Sequence, residues 1–422
     1  MRYRLLAVIV GSMALLSCVD AGPRAPVRAP GGSRDPSGLA FLDSALRPYP
    51  DAASPGLIAV TDAATGRVAT YDSALVVLVL LRSGRRDRAA RVLQGLSALQ
   101  REDGGLPFSF TLPAPDPGER YERTGAVAWV GYAAAEYLDA ERGGPARDVA
   151  LALAHRAAQY VLGHQVTRAG DPRDGLVRGG VGTFRYELAG DDVREVLEPG
   201  EVSWTAVEHN VDSYFFLRAL ARVTGTVAYA DAARRIAGAL QERAWNGDEG
   251  QFWSGLDEGG PDPTLALDCA SWGSILLDAL AARARARTAF AVADGRYASQ
   301  DPATGARGHV PYASGPLIAD ERLMRHFQPK LPAARWEDLR AVWPEGTAGV
   351  ALAAWRAGRP DRARALLDAL EPLRSADGSL PTATAEIPFV LDTRPSIGGT
   401  AWVALVRFEL DRPPSKPTLW AP

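Results

Sequence analysis

The chain has 422 residues, of which 47% are hydrophobic and 23% charged, and its formal net charge is −3. That balance excludes a disordered chain, which would carry too little apolar surface to fold. The lack of any Lys- or Arg-rich run argues against a nucleic-acid partner held through its phosphates.

Residues 1–18 read "MRYRLLAVIVGSMALLSC". Two arginines precede an apolar run too short for an ordinary membrane span, the pattern of an export signal. Its end, "LLSC", resembles the lipobox of bacterial lipoproteins, which implies that Cys18 is lipidated and becomes the mature N-terminus. A plain cleaved signal with a chance cysteine is the alternative. Residues 19–38 are rich in Pro, Gly and Arg without periodicity and read as a flexible tether. These segments imply a protein exported to the bacterial envelope, periplasmic or outer-membrane, and held to a membrane through Cys18. The other cysteine is Cys269, so a lipidated Cys18 leaves no intramolecular disulfide, and a cysteine zinc site lacks ligands. Stability must then come from a large apolar core.

Beyond residue 60 two kinds of segment alternate. The first inner segment, "TYDSALVVLVLL" from Thr70, is nearly all apolar, and the stretch Arg85–Gln100 after it carries charge on one face. "EDGGLPFSF" from Glu102 then turns the chain into "RTGAVAWVGYAAAEYL" from Arg123, followed by amphipathic Ala146–Gln165 and the turn "RDGLVRGG" from Arg173. "TAVEHNVDSYFFLRAL" from Thr205 carries a carboxylate, a histidine, an asparagine and a second carboxylate within five residues near its start and is almost wholly apolar behind; Ala228–Trp245 and "GDEGQFWSG" follow it. "LDCASWGSILLDAL" starts at Leu267, and "LLDALAARARARTAFAVA" from Leu276 is the weakest amphipathic candidate. "PEGTAGVALAAWRAG" from Pro344, amphipathic Arg359–Arg374, "ADGSLPTAT" from Ala376 and "SIGGTAWVALVRFEL" from Ser396 complete the series. Segments apolar on every side are buried helices; their length and their Ala and Leu content argue against strands. Apolar residues at i, i+3, i+4 and i+7 mark the others as helices lying on a core.

Six alternations predict an all-α (α/α)6 toroid, six inner helices ringed by outer ones, with short extended loops at one end. One domain over 39–412 and a C-terminal tail over 413–422 are expected. The layout resembles the six-hairpin glycosidase superfamily over roughly residues 40–410, through its architecture and the acid-bearing starts of its inner segments.

Parallel inner helices would bring their starts to one funnel. Asp72, Glu208, Asp212, Asp268 and Glu345 all fall there. Each has a structural reading: "TAVE" fits a capping box, Asp268 an N-cap, and Glu345 after Pro344 a first-turn acid favoured by the helix dipole. The functional reading makes Glu208 a general acid, with Asp212 one turn on raising its pKa. Asp72 or Glu345 would be the base. His209 and Asn210 beside Glu208 are candidate substrate contacts. Tyr71, Trp129, Trp204, Trp272, Trp343 and Trp402 lie at or near inner starts, where indoles stack on sugar faces or simply plug the toroid.

These residues point to a glycoside hydrolase acting on a polysaccharide or glucan through paired carboxylates. The resemblance implies inversion at the anomeric centre. No cofactor and no metal site is expected, since no His-x-x-x-His pair occurs, and a monomer is expected. A polysaccharide lyase or uronate epimerase on the same fold is the alternative, with His209, Asn210 and Tyr214 in the chemistry. A non-catalytic glycan-binding envelope lipoprotein is another. Terpene-cyclase chemistry is excluded by the lack of an Asp-rich DxDD cluster.

Overall fold

The computed structural model describes residues 37–421 apart from 117, 145, 191 and 414–417. Cys18 and the tether as far as residue 36 lie outside the described residues. The helices are α1 (Leu39–Ser44), α2 (Thr70–Arg82), α3 (Arg86–Leu99), α4 (Thr124–Ala140), α5 (Ala146–Gly163), α6 (Val207–Thr224), α7 (Val227–Ala239), α8 (Leu267–Ala279), α9 (Arg283–Arg296), α10 (Glu321–Phe327), α11 (Pro344–Arg356), α12 (Pro360–Asp368) and α13 (Ile397–Leu410). No described helix is long and apolar enough to cross a membrane.

Helices α2, α4, α6, α8, α11 and α13 form the inner ring. Each packs on the next, and α13 closes onto α2. Outside them α3, α5, α7, α9 and α12 pack against the inner helix each one follows, and short α1 packs against α13 in the sixth place. This is the (α/α)6 toroid. The stretch from Leu276 divides into the end of α8 and, after a turn with Ala281 at φ 58°, α9.

The two helix types differ as their sequences do. On α4 every residue from Thr124 to Leu138 is buried, whereas α3 buries a stripe of Ala89, Ala90, Val92, Leu93, Leu96 and Leu99. Close approach in the inner ring depends on small residues. A Cβ on Gly131 of α4 would lie 2.3 Å from the Phe216 ring of α6, so only glycine fits there.

The inner helices start at one end, and loops cap them. The first N–H groups of α2, α4, α6 and α8 (Thr70, Thr124, Val207, Leu267) donate to the carbonyls of Phe108, Gly179, Ser254 and Pro311. Each acceptor lies in the loop that leaves the outer helix of the same hairpin. Short antiparallel pairs fix this connection: Arg67–Ala69 with Ser109–Thr111, Glu122–Arg123 with Gly180–Val181, and Thr205–Ala206 with Gly255–Leu256; at α13 the entering Pro395–Ser396 pairs with Leu380–Pro381 from the loop after α12. Backbone carbonyls thereby satisfy donors that side-chain caps usually serve. The acids at these starts are released from capping.

At the opposite end Arg82 and Arg222 clamp the buried Glu136 at 2.7 and 3.1 Å, so the charges buried there are paired. The end of the chain closes this side. Trp420 is 1% exposed and stacks on Phe215 with centroids 4.9 Å apart and planes 8° from parallel. Its N–H donates to the Tyr132 hydroxyl, and Arg356 donates to its carbonyl.

Candidate active site

The starts of four inner helices deliver five carboxyl groups to the centre of the ring. Asp72 is the third residue of α2; Glu208, Asp268 and Glu345 are the second residues of α6, α8 and α11; Asp212 follows Glu208 by one turn. All five are between 3% and 9% exposed. Two inner helices lack an acid at this level, and both carry glycine as their second residue, Gly125 on α4 and Gly398 on α13.

Those glycines make room for their neighbours' acids. A Cβ on Gly398 would lie 2.6 Å from Glu345 Oε2 and 3.5 Å from Asp72 Oδ1, so the carboxyls of α11 and α2 meet over the start of α13. A Cβ on Gly125 would lie 2.5 Å from the His209 ring and 3.0 Å from Asp212 Oδ2.

The carboxyls differ in their partners. Glu345 Oε1 accepts from the Tyr71 hydroxyl at 2.9 Å, and that hydroxyl accepts from Trp402 Nε1 at 2.5 Å. Asp72 Oδ2 accepts from the Thr61 hydroxyl at 2.7 Å. Glu208 Oε2, Asp212 Oδ1 and Asp268 Oδ1 are buried without a hydrogen-bond partner. The capping box is absent: the residue preceding α6 is Ala206, and the Thr205 hydroxyl donates instead to the Leu256 carbonyl.

Electrostatics follow from this burial. Desolvation raises Glu208 well above the usual carboxylate range, and the charges of Asp268, Asp212 and Glu345 push it the same way. Asp212 is raised by burial and by Asp268. Burial lifts Asp72 and Asp268 each to about 7, the Thr61 hydrogen bond partly opposing this at Asp72. Glu208 and Asp212 are thereby held toward their protonated forms at neutral pH.

His209 is held in the opposite state. Burial, aided by Arg123, lowers it to about 3. The Thr124 hydroxyl donates to the Arg178 carbonyl at 2.8 Å, so the hydrogen shared with His209 Nδ1 at 3.3 Å belongs to the imidazole. A neutral ring with its proton on Nδ1 results.

A narrow cavity opens between Tyr71, Phe108, Gly125, Trp129, Glu208, His209, Asp212 and Trp272. Trp129 and Trp272 form its floor, packed edge-on at 6.2 Å, with Trp402 stacked beneath Trp272 at 5.4 Å and Trp420 5.2 Å from both floor indoles. Among the described residues no group of three or more His, Cys, Asp or Glu is arranged to hold a metal ion. A wider surface depression beside α1, lined by Ser37, Asp43 and Arg85, contains none of these acids.

The structure brings Asp72, Glu208, Asp212, Asp268, Glu345, His209, Tyr71, Trp129 and Trp272 together. Trp402 lies below them and reaches the site through Tyr71. Trp204 sits at the mouth, over Gly179 and 5.9 Å from His209. Two named residues serve the scaffold. Asn210 spends its amide on backbone, accepting from Val177 N–H at 2.7 Å and donating to the Val177 and Ala206 carbonyls. The Trp343 ring packs on its own helix start at Gly346 and on Leu267. Sequence reasoning missed Thr61, Phe108, Trp420 and Tyr312, whose phenol feels the charges of Glu208 and Asp268. The glycines at the second position of α4 and α13 were a usable signal for the central room.

No family model and no curated relative matches the chain. Solved structures do. A D-mannose isomerase superposes with a TM-score of 0.61 at 12% identity, covering 89% of this chain and 94% of that one. A GH76 α-mannanase of Bacteroides thetaiotaomicron superposes at 0.51 and 12% identity, covering 88% and 93%. A sugar epimerase from a ruminal bacterium gives 0.56 at 10% identity, covering 88% and 95%. These neighbours share the six-hairpin toroid; at such identities the likeness is one of fold.

Proposed function

We propose that this chain is a glycoside hydrolase in which Glu208 is the general acid and Glu345 the general base. The observation that carries the reading is Glu208 Oε2, a buried carboxyl oxygen with no partner, lining the central cavity amid other acids. Its proton is available to a glycosidic oxygen. Glu345 accepts the Tyr71 hydrogen bond, which holds its carboxyl beside the cavity-lining Tyr71. In the step this supports, a water attacks the anomeric carbon while passing a proton to Glu345. The bond from that carbon to the leaving oxygen breaks, and the leaving oxygen takes the Glu208 proton. Attack opposite the leaving group inverts the centre. Asp72, next to Glu345, holds the same water, and Trp129 and Trp272 offer faces for the sugar ring.

Neighbours of this fold include isomerases and epimerases as well as a mannanase. The alternative chemistry, proton abstraction from a sugar carbon, needs a base of higher affinity than an imidazole lowered to about 3. The carboxylic-acid ring favours hydrolysis. A screen of mannans, glucans and other polysaccharides with reducing-end detection tests this. New reducing ends are expected; absorbance of an unsaturated uronate, or an isomerised sugar without new ends, would sink the hydrolase.

The reading extends to location. A lipid on Cys18 would hold the domain to an envelope membrane through the stretch 19–38. One acyl chain binds only marginally, so full lipidation is needed. Cys18→Ser is expected to release the protein from membranes on fractionation; unchanged membrane association would refute the anchor.

A further inference from the structure

Above the carboxyl ring the rim is raised. The segments Gly180–Ala189 and Asp192–Val202 pair as a long antiparallel hairpin between α5 and α6. Successive side chains of a strand alternate in direction, and pairs directly opposite share a face. Phe184 and Tyr186 therefore lie on one face with Leu197 and Glu195, their register partners. That face turns inward. Phe184 packs on Tyr121 at 4.7 Å, which packs on the cavity-lining Phe108 at 5.3 Å. Tyr186 packs at 4.4 Å on Phe389, in the loop before α13, and Phe389 meets Phe327 of α10 at 5.7 Å. Glu195 faces Arg67, in the strand that enters α2. The outward face carries Arg185, paired with Glu187 and Glu198.

These contacts run from α4 past α2 to α13 and α10. They form an aromatic collar of two clusters, Phe108–Tyr121–Phe184 and Tyr186–Phe389–Phe327, over one side of the mouth. Below it the floor is sealed by indoles and, at the far end, by the C-terminal Trp420. An enzyme that cuts within a chain needs a groove open at both ends. This site is closed at its floor by the indoles and walled on one side by the hairpin.

Building on the hydrolase reading, we infer that the pocket takes a single sugar ring at the end of a chain, so that the enzyme removes terminal residues one at a time. The hairpin is the specificity element: with the Phe389 loop it blocks the path a continuing chain would need.

Two measurements separate this inference from the hydrolase reading. In the first, early products from the polysaccharide that responds in the reducing-end screen are resolved by size. Monosaccharide alone is expected, with solution viscosity falling slowly per bond cut. A mixture of oligosaccharides with a steep early loss of viscosity overturns the inference and leaves the hydrolase standing. The second does not need turnover. The Glu208→Gln variant is titrated with mannose, glucose and their linear trisaccharides, following tryptophan fluorescence. For the sugar that binds, affinity is expected to change by less than about threefold between mono- and trisaccharide. A gain of tenfold or more, or binding of trisaccharides alone, shows several ring sites and overturns the inference, as does a failure of every sugar to bind. Tyr186→Ala combined with Phe389→Ala, folded by its melting curve, is expected to admit continuing chains and to add oligosaccharides to the products. An unchanged product pattern removes the hairpin from its role.

Discussion

Tyr71 of α2 donates its phenolic hydrogen to Glu345 of α11 across 2.9 Å, joining residues 274 positions apart in the chain. The same hydroxyl takes the indole hydrogen of Trp402 on α13. Three inner helices thus agree on the position of one carboxylate. Tyr71→Phe removes the donor to Glu345 and leaves the Trp402 N–H buried without a partner. A stability loss of about 1–3 kcal/mol is expected from the orphaned group. On the proposed mechanism, turnover falls about tenfold or more because the base loses its orientation. Denaturant unfolding and steady-state kinetics on the same preparation check both. A fall in stability with turnover intact would make the bond purely structural.

Glu208→Gln keeps shape and removes the proton. No cap is lost, since Glu208 closes none, and one acid leaves a crowded cluster. Stability is expected to hold or rise, while kcat falls roughly 10²-fold or more, a usual scale for acid–base catalysis. Thermal melting alongside kinetics separates these outcomes. Full activity in the variant would move the acid role to Asp268, whose free oxygen lies in the same ring.

The raised carboxyls also make stability depend on pH. Asp268 ionises near 3.8 in an unfolded chain and at about 7 in the fold. Below 3.8 both states hold the proton, and the group costs nothing. Between there and about 7 the unfolded chain releases its proton while the fold keeps it, so stability falls as pH rises; above 7 the loss is complete. Asp268→Asn abolishes this. Its melting temperature relative to the parent should climb from pH 4 to pH 7 and then level, the gap in stability reaching on the order of 1 kcal/mol or more. Asp72→Asn should behave in the same direction. A difference that stays flat with pH would show that both groups remain ionised in the fold.

The toroid was legible because its evidence is local. Buried and amphipathic helices differ in the apolar pattern of each segment, and six alternations leave few architectures. The acids were legible by position, at the starts of four inner segments. Their burial was not, because it depends on Phe108, Tyr312 and the loops that cap the helices. "TAVE" looks like a capping box, yet Gly255 and Leu256, fifty residues on, pair with Thr205 and Ala206 and shift the helix start to Val207. Tertiary pairing overrode a local signal and freed Glu208. The hairpin 180–202 lay beyond the turn from Arg173 and was not legible, since its aromatic face finds partners on α10 and the loop before α13.

Trp420 tests how far the end of the chain belongs to the site. By sequence it sits in a polar, Pro-rich tail; in the fold it is wedged among Phe215, Trp129, Trp272 and Trp402 beneath the cavity. Trp420→Ala should cost about 3–5 kcal/mol, the scale for truncating a fully buried indole. The void would also let Trp129 and Trp272 settle away from the carboxyl ring, so sugar affinity should fall in the folded protein. Trp420→Phe refills most of the space and should restore much of both, though the Phe215 stack would be smaller. Denaturant midpoints give the first effect, and fluorescence titration at a temperature where every variant is folded gives the second. A Trp420→Ala variant that unfolds at the parent's midpoint would show that the chain end does not occupy this place. One that is destabilised yet binds sugar unchanged would confine Trp420 to the scaffold and leave Trp129 and Trp272 to hold the floor alone.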